Sequence, residues 1–473
     1  MNIAVIGAGY VGLVSAACFA ELGHTVIAVD NDPDKLLALA EGRAPIHENL
    51  LPELLQKHLG ERLTFTDSIA QAVRFSNVIF ITVGTPSSVT GDADLCSVEA
   101  VIREVAEHVT SKTLIVEKST VPVRTCDSIR RTMELNGAPS SLISVASNPE
   151  FLREGSAVTD FLYPDRIVIG VDDSFSEDKL RQIYAPLWEG SYYRREDLVP
   201  GDDSYLPRLI VTNTRSAELI KHASNAFLAM KISFINAVAN IAERVGGDID
   251  QIRDGVGADR RIGSSYLNAG IGYGGSCLPK DVLAFRAVAR DAGYDFDLLD
   301  SVIRINQDQR QQFLRKVRNA LWTLRNKRLA ILGLAFKAGT DDVRESPAIE
   351  IVEALIKQGC LVTAFDPAAM PRALDEIHSR AGHGSIEMAS DPYAAAADAD
   401  AVLILTEWEE FANLDLAKLR RRMRLPILVD GRNLYRPEEM EAAGFVYYSV
   451  GRPPVFPIDR TNKALELVFE ETI

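Results

Sequence analysis

The chain has 473 residues, more than one ordinary hydrophobic core encloses, so two or three domains are expected. Apolar residues make up 47% and charged residues 25%, the balance of a globular protein rather than a disordered or fibrous one. A net charge of −15 argues against general affinity for nucleic acid or an anionic membrane, so an anionic ligand needs a local cluster of Lys and Arg.

The first element is the apolar run Met1–Ile6, a buried strand by its pattern. It enters Gly7-Ala8-Gly9-Tyr10-Val11-Gly12, and helical periodicity follows to Leu22 and Gly23. A second strand, Thr25–Val29, ends at Asp30. Strand, glycine turn, helix, strand and terminal carboxylate together make the context of a dinucleotide site. Gly7, Gly9 and Gly12 let a pyrophosphate approach the helix N-terminus, with Tyr10 and Val11 in its first turn, while Asp30 is placed to accept from the adenosine ribose hydroxyls. A carboxylate there repels a 2′-phosphate, which favours NAD over NADP. Further strand-like runs at Asn77–Val83, Thr113–Val116, Leu142–Ser147 and Arg166–Val171 predict a doubly wound sheet. Thr85, Thr120 and Glu150 each fall just after a strand, where ligands of such sheets lie. Taken singly, each is an ordinary polar loop residue.

The middle of the chain is helical. Ser216 to Arg244 lacks Pro and Gly and predicts one long helix. Lys221 and Asn225 project from one face of it, four residues apart. Spacing alone makes Lys221 a solvated surface lysine, whereas Asn225 is a poor helix former that calls for a partner. Next comes Gly272-Tyr273-Gly274-Gly275-Ser276-Cys277-Leu278-Pro279-Lys280-Asp281. The glycines suit a turning backbone that approaches a ligand, Pro279 suits a first helical turn, and Ser276 is the expected N-cap. Cys277 then sits at the positive end of a helix with Lys280 one turn on, and both effects favour the nucleophilic thiolate. An isolated cysteine is usually a small buried residue, but the glycine run and Lys280-Asp281 reverse that expectation.

The last zone, from about Asn326, reads as a degenerate repeat of the first. Arg328–Gly333 echoes Asn2–Gly7, Cys360–Pro367 echoes His24–Asn31, and later strands are Ala401–Leu405 and Ile427–Val429. The glycine fingerprint is replaced by Leu334-Ala335-Phe336-Lys337, so this half is expected to hold a nucleotide through cations, with Lys337, Arg344 and Arg432 as candidates. The resulting fold class is α/β: two Rossmann-like doubly wound domains, 1–205 and 326–473, joined by a central helical domain, 206–325, that carries one long helix and the Cys277 loop. Five cysteines without C-x-x-C spacing read as reduced thiols, and the seven histidines form no recognisable metal set. With no leader before the first strand and no uncharged apolar run long enough for a bilayer, a cytoplasmic protein is expected.

This organisation, with GAGYVG at 7–12, VGTP at 83–86, EKSTVP at 117–122, NPEFLREG at 148–155, ELIKHASNAFLA at 218–229, GYGGSCLPKD at 272–281, GLAFK at 333–337 and DDVRESPA at 341–348, resembles the UDP-glucose/GDP-mannose dehydrogenase family over essentially the whole chain. The resemblance implies NAD-dependent, four-electron oxidation of a sugar-nucleotide C6 alcohol to a carboxylate. It makes Cys277 the nucleophile, passing through a thiohemiacetal and a thioester. Lys221, Asp281 and a water near Thr120 form the base assembly, Glu150 activates the hydrolytic water, and Lys221 and Asn225 stabilise the oxyanion. Asp30, Lys35, Thr85, Thr120, Glu154, Lys280 and Arg344 match cofactor positions beside the glycine turn. Phe151, Leu152, Asn225, Arg261, Tyr266 and Gly274 match UDP-sugar positions, as do Glu150, Lys221, Phe336, Lys337 and Arg432. Arg261 in the family commonly reaches across a dimer interface, which implies a homodimer or higher homo-oligomer. Phe151–Gly155, Pro164-Asp165-Arg166 and Arg261-Ile262-Gly263 resemble the branch that acts on UDP-glucose. The rival substrates are GDP-mannose and a UDP-N-acetylhexosamine. A two-electron hydroxyacid dehydrogenase and a catalytically dead NAD-binding protein are the remoter alternatives. Two departures stand out: a long connection, Trp188–Leu209, expected to be a solvent loop or an oligomer contact, and Ile46–Leu51, expected to alter only a surface turn.

Overall fold

Strands built mostly from Val, Ile, Leu and Ala form both sheets, as parallel strands covered on two faces require. The computed structural model describes residues 1–86, 93–195, 205–382 and 386–457. The chain divides into two units, Met1–Ala226 with Lys280–Phe296, and Phe227–Pro279 with Asp297–Ile473.

The first unit holds eight strands: β1 (Asn2–Ile6), β2 (Thr25–Val29), β3 (Leu63–Thr66), β4 (Val78–Ile81), β5 (Thr113–Glu117), β6 (Ile143–Ser147), β7 (Arg166–Gly170) and β8 (Arg208–Thr212). Their order is β3-β2-β1-β4-β5-β6-β7-β8. The first six run parallel, and β7 meets β6 antiparallel at Ser147 and Gly170. The order turns back between β1 and β4, the switch point outside which such sheets bind ligands. The helix Tyr10–Glu21 packs one face, buried from Gly12 onward. Its Phe19 ring lies 4.8 Å from Phe80, 5.2 Å from Phe161 and 5.7 Å from Tyr184 by centroid. Val98, Ile102, Val105, Ile129 and Met133 cover the other face against Ile79 and Ile115.

The second unit repeats that plan with β9 (Arg328–Leu332), β10 (Leu361–Phe365), β11 (Ile386–Met388), β12 (Ala401–Ile404), β13 (Ile427–Asp430) and β14 (Val446–Tyr448). All are parallel, in the order β11-β10-β9-β12-β13-β14. Gly333 follows β9 at φ +96° as Gly7 follows β1 at φ +102°. A Cβ on Gly333 would lie 2.4 Å from Thr406, and one on Gly7 2.9 Å from the Thr82 carbonyl. The repeat therefore keeps the turn glycine that packing demands and loses the rest of the fingerprint.

The long helix runs Thr214–Val245, 32 residues and about 48 Å. By length and composition alone it could cross a membrane, although no uncharged run within it is long enough to do so. It carries Glu218, Lys221, Lys231 and Glu243, and 44% of its most apolar window is buried in the fold. Within Trp188–Leu209, residues 196–204 lie outside the described residues. What flanks them is no plain solvent loop. Tyr193 donates its hydroxyl to the Leu162 carbonyl at 3.0 Å, Arg195 pairs with buried Glu21 at 2.8 Å, and Arg208 begins β8. Nor is Ile46–Leu51 merely a surface turn. Glu48 is buried and accepts the Gly155 N–H at 2.7 Å, the Ala157 N–H at 2.8 Å and the Tyr10 hydroxyl.

Candidate active site

The glycine turn after β1 is tight for a steric reason. A Cβ on Gly12 would lie 1.7 Å from the Gly7 carbonyl oxygen, whereas the space beside Gly9 is open. Gly9 precedes the helix that Tyr10 and Val11 begin, and no side chain caps its first turn. Those N–H groups therefore suit an anion. At the end of β2, buried Asp30 accepts the Ala8 N–H at 2.9 Å and Lys35 Nζ at 2.8 Å through Oδ2, and the Asp32 N–H at 3.1 Å through Oδ1. Thr85 Oγ1 donates to the Thr120 carbonyl at 2.8 Å, which joins the loops after β4 and β5. Glu154 is half-buried next to Gly155, whose N–H also meets the Tyr10 hydroxyl at 2.7 Å.

Beyond β6 the first unit gathers its buried charges. Lys221 Nζ lies 2.8 Å from Glu150 Oε1, with side chains only 4% and 5% exposed. The surface reading of Lys221 is thus overturned: the long helix turns that face inward. Glu150 Oε2 also accepts the Leu152 N–H at 2.5 Å. The Phe151 ring stacks under the Arg166 guanidinium at 3.9 Å and lies 5.4 Å from Lys221 Nζ. Asn225 has the partner its helix position demanded, donating from Nδ2 to Asp281 Oδ2 at 2.5 Å. Lys280 holds the other oxygen of Asp281 at 2.8 Å. Removing one member of a buried pair such as Lys221–Glu150 typically costs about 3–5 kcal/mol, because the survivor stays charged and dry.

The sequence reading missed three residues on the same helix face and loop. His222 hydrogen-bonds the Val121 carbonyl at 2.8 Å through Nε2. Burial lowers its pKa, so the ring is neutral and Nε2 donates. Glu218 accepts the N–H groups of Arg124 at 2.7 Å and Cys126 at 2.9 Å. Lys118 is buried beside Asn148. The signal for the first two was present: 218, 221, 222 and 225 fall on one helical face.

In the second unit, the Cys277 thiol is half-buried. The following helix is Leu278–Asp291, so Cys277 rather than Ser276 occupies the N-cap position, one residue later than expected. Cys277 Sγ lies 3.6 Å from Ser276 Oγ. Its loop is seated on the second sheet's loops. Gly275 (φ +82°) donates its N–H to the Arg344 carbonyl at 3.1 Å, and a Cβ there would lie 2.7 Å from the Phe336 ring. A Cβ on Gly274 would lie 2.2 Å from the Glu345 carbonyl oxygen. Asn306 clamps the backbone of Tyr273 at both ends, at 2.8 and 3.0 Å. Arg432 donates to the Leu405 carbonyl at 2.8 Å and the Phe336 carbonyl at 3.1 Å. Lys337 Nζ lies 5.4 Å from the Phe336 ring. Gly274, Phe336, Lys337 and Arg432 are therefore drawn together. Arg344 is paired with Asp342 at 2.7 Å, Arg261 with Asp259 at 2.5 Å on an 88% exposed side chain, and Tyr266 is half-buried at φ +63°. Among the described residues no group of three or more His, Cys, Asp and Glu could hold a metal ion.

Residues 1–188 match the NAD binding domain of the UDP-glucose/GDP-mannose dehydrogenase family, 215–308 its central domain and 330–437 its UDP binding domain. The chain belongs to that family. It is 44% identical over 463 residues to the UDP-glucose 6-dehydrogenase TuaD of Bacillus subtilis, covering 98% of this chain and 95% of that one. It is 46% identical over 458 residues to a UDP-glucose 6-dehydrogenase of Rhizobium meliloti, covering 96% and 100%. Among solved structures, a UDP-glucose dehydrogenase from Pyrobaculum islandicum superposes with a TM-score of 0.85 at 37% identity, over 95% of this chain and 98% of that one. A UDP-D-ManNAc dehydrogenase from Pyrococcus horikoshii gives 0.80 at 28%, over 96% and 99%. The cofactor of the family's first domain is NAD, and the residues here fit it: a glycine turn that a Cβ would block, an uncapped helix N-terminus and a buried carboxylate at the end of β2.

Proposed function

We propose that this protein oxidises UDP-glucose to UDP-glucuronate with two NAD reduced per product. The observation that carries the reading is a half-buried cysteine at a helix N-terminus in a chain so similar to UDP-glucose 6-dehydrogenases. An alcohol-to-aldehyde step needs no covalent nucleophile, whereas an aldehyde-to-acid step gains one reactive intermediate from it. Gly7, Gly9, Tyr10, Val11 and Gly12 would hold the NAD pyrophosphate, with Asp30 and Lys35 at the adenosine ribose. Thr85, Thr120, Glu154, Lys280 and Arg344 would serve the rest of the cofactor. When bound, NAD supplies the hydride acceptor for both oxidations.

The chain's own residues do the remainder. Lys221, Asp281 and a water near Thr120 take the proton of the C6 hydroxyl. The Cys277 thiolate adds to the aldehyde carbon to give a thiohemiacetal, which becomes a thioester on the second oxidation. Glu150, fixed by Lys221 and the Leu152 N–H, orients the water that attacks the thioester; the C–S bond breaks and Cys277 departs as thiolate. Lys221 and Asn225 donate to the oxyanions formed at C6. Phe151, Leu152, Arg261, Tyr266, Gly274, Phe336, Lys337 and Arg432 bind the UDP-sugar, the cations on its diphosphate.

The working protein is a cytoplasmic homodimer or higher homo-oligomer in this reading, with domains 1–205, 206–325 and 326–473. Phe227, Phe234 and Ile241 support the oligomer: they lie seven residues apart on the long helix and are 58%, 56% and 61% exposed, a seam suited to a second copy. Turnover with UDP-glucose, GDP-mannose and a UDP-N-acetylhexosamine in parallel tests the substrate assignment. Faster NAD reduction with either rival would overturn it.

A further inference from the structure

Lys118 follows the last residue of β5 and lies 3% exposed in the interior of the first unit. Its Nζ donates to Asn148 Oδ1 at 3.0 Å, the Asn148 carbonyl at 3.5 Å and the Tyr184 hydroxyl at 3.4 Å, and lies 5.6 Å from the centre of the Phe161 ring. Every one of these partners is neutral. A buried ammonium without a carboxylate on it is expensive to keep, and burial pulls its pKa down to about 8. Groups of that kind persist where their charge is used.

The charge has a destination. Asn148, which Lys118 grips by side chain and carbonyl, stands two residues before Glu150. The titratable groups facing Lys118 are Glu150 after β6, Lys221 on the long helix, Cys18 on the Tyr10–Glu21 helix and Tyr184. Burial pushes Cys18 and Tyr184 far up, so both stay neutral. Lys118 and Lys221 therefore place two cations against the single carboxylate of Glu150. Surplus positive charge in a water-poor interior favours any anion that forms nearby.

We propose that Lys118 is a positioning residue for the oxidation: held on Asn148 behind Glu150, it supplies surplus positive charge that favours the oxyanions formed at C6. This rests on the nucleotide-sugar oxidation proposed above. Lys118→Met removes the charge and nearly keeps the length, and Asn148 Oδ1 retains the Tyr184 hydroxyl at 2.6 Å. The experiment measures kcat, KM and Tm against pH with UDP-glucose and NAD. Wild-type turnover tests the oxidation itself, so failure there is separate from failure of the variant's prediction. The expected result is kcat lowered at least about tenfold near neutrality, with KM for UDP-glucose and the NAD dissociation constant within about threefold. In the wild-type protein kcat should fall as pH rises through about 8, where Lys118 loses its charge, and that step should be absent from Lys118→Met. Tm should not fall, because the cost of burying the charge goes with it. If Lys118→Met does not fold, Lys118→Gln, which keeps a donor for Asn148, is read in the same way. A wild-type pH profile in the folded variant would overturn the proposal, as would a kcat loss that merely tracks a lowered Tm.

Discussion

A lysine and a glutamate taken out of water together, as Lys221 and Glu150 are, hold each other's charge in place. Lys221→Met should lower kcat by two orders of magnitude or more, about 3 kcal/mol or more of barrier, because it removes the proposed oxyanion donor and unpairs Glu150. Steady-state kinetics with the fold checked by circular dichroism decides it, and near-wild-type turnover would remove Lys221 from the chemistry. Glu117 makes a second residue-scale prediction. Buried and about 1% exposed, its carboxyl is pushed up to about 8, chiefly by desolvation, while Oε1 accepts the Ser119 N–H at 2.7 Å. The unfolded chain ionises this group near 4.5 and the folded chain near 8, so burial costs stability as pH rises between those values. Glu117→Gln should flatten that fall in Tm across the same window. An unchanged slope would mean that the native carboxyl is already ionised there.

At the scale of elements, what the sequence revealed depended on how local the cause was. Strand, glycine turn and helix over residues 2–21 follow from neighbours in sequence, and the structure reproduces them within a residue or two. The repeat was equally legible, since Gly333 answers to Gly7 and β9–β14 to β1–β6. Lys221 was not. Its helical spacing says which face it shares with Asn225, but only the fold brings Glu150 to it from 71 residues away. Glu48 was invisible for the same reason, being fixed by N–H groups more than 100 positions downstream. The cap at Cys277 was misplaced by one residue because local propensities do not resolve a helix start more finely. The long helix supplies the element-scale prediction. Phe234→Asp, midway along its exposed apolar seam, should shift the protein to smaller species in light scattering. An unchanged mass would place the oligomer contact elsewhere.

On the scale of the whole molecule, two sheets share one six-strand order but differ at the first turn, where one keeps Gly7, Gly9 and Gly12 and the other has Phe336 and Lys337, a difference that in the proposed reading gives them different ligands. Asp30→Ala should accordingly weaken NAD by at least about tenfold and leave UDP binding within about twofold, as read by calorimetry. Equal loss of both would take Asp30 out of the cofactor site. The four-electron account rests most heavily on Cys277, and Cys277→Ser should fold and bind both ligands while failing to complete the oxidation. The most direct measurement is the number of NAD reduced per UDP-glucose consumed by the wild-type protein, with the product identified by mass. Two, with UDP-glucuronate released, is the predicted result; one, or release of an aldehyde, would contradict it.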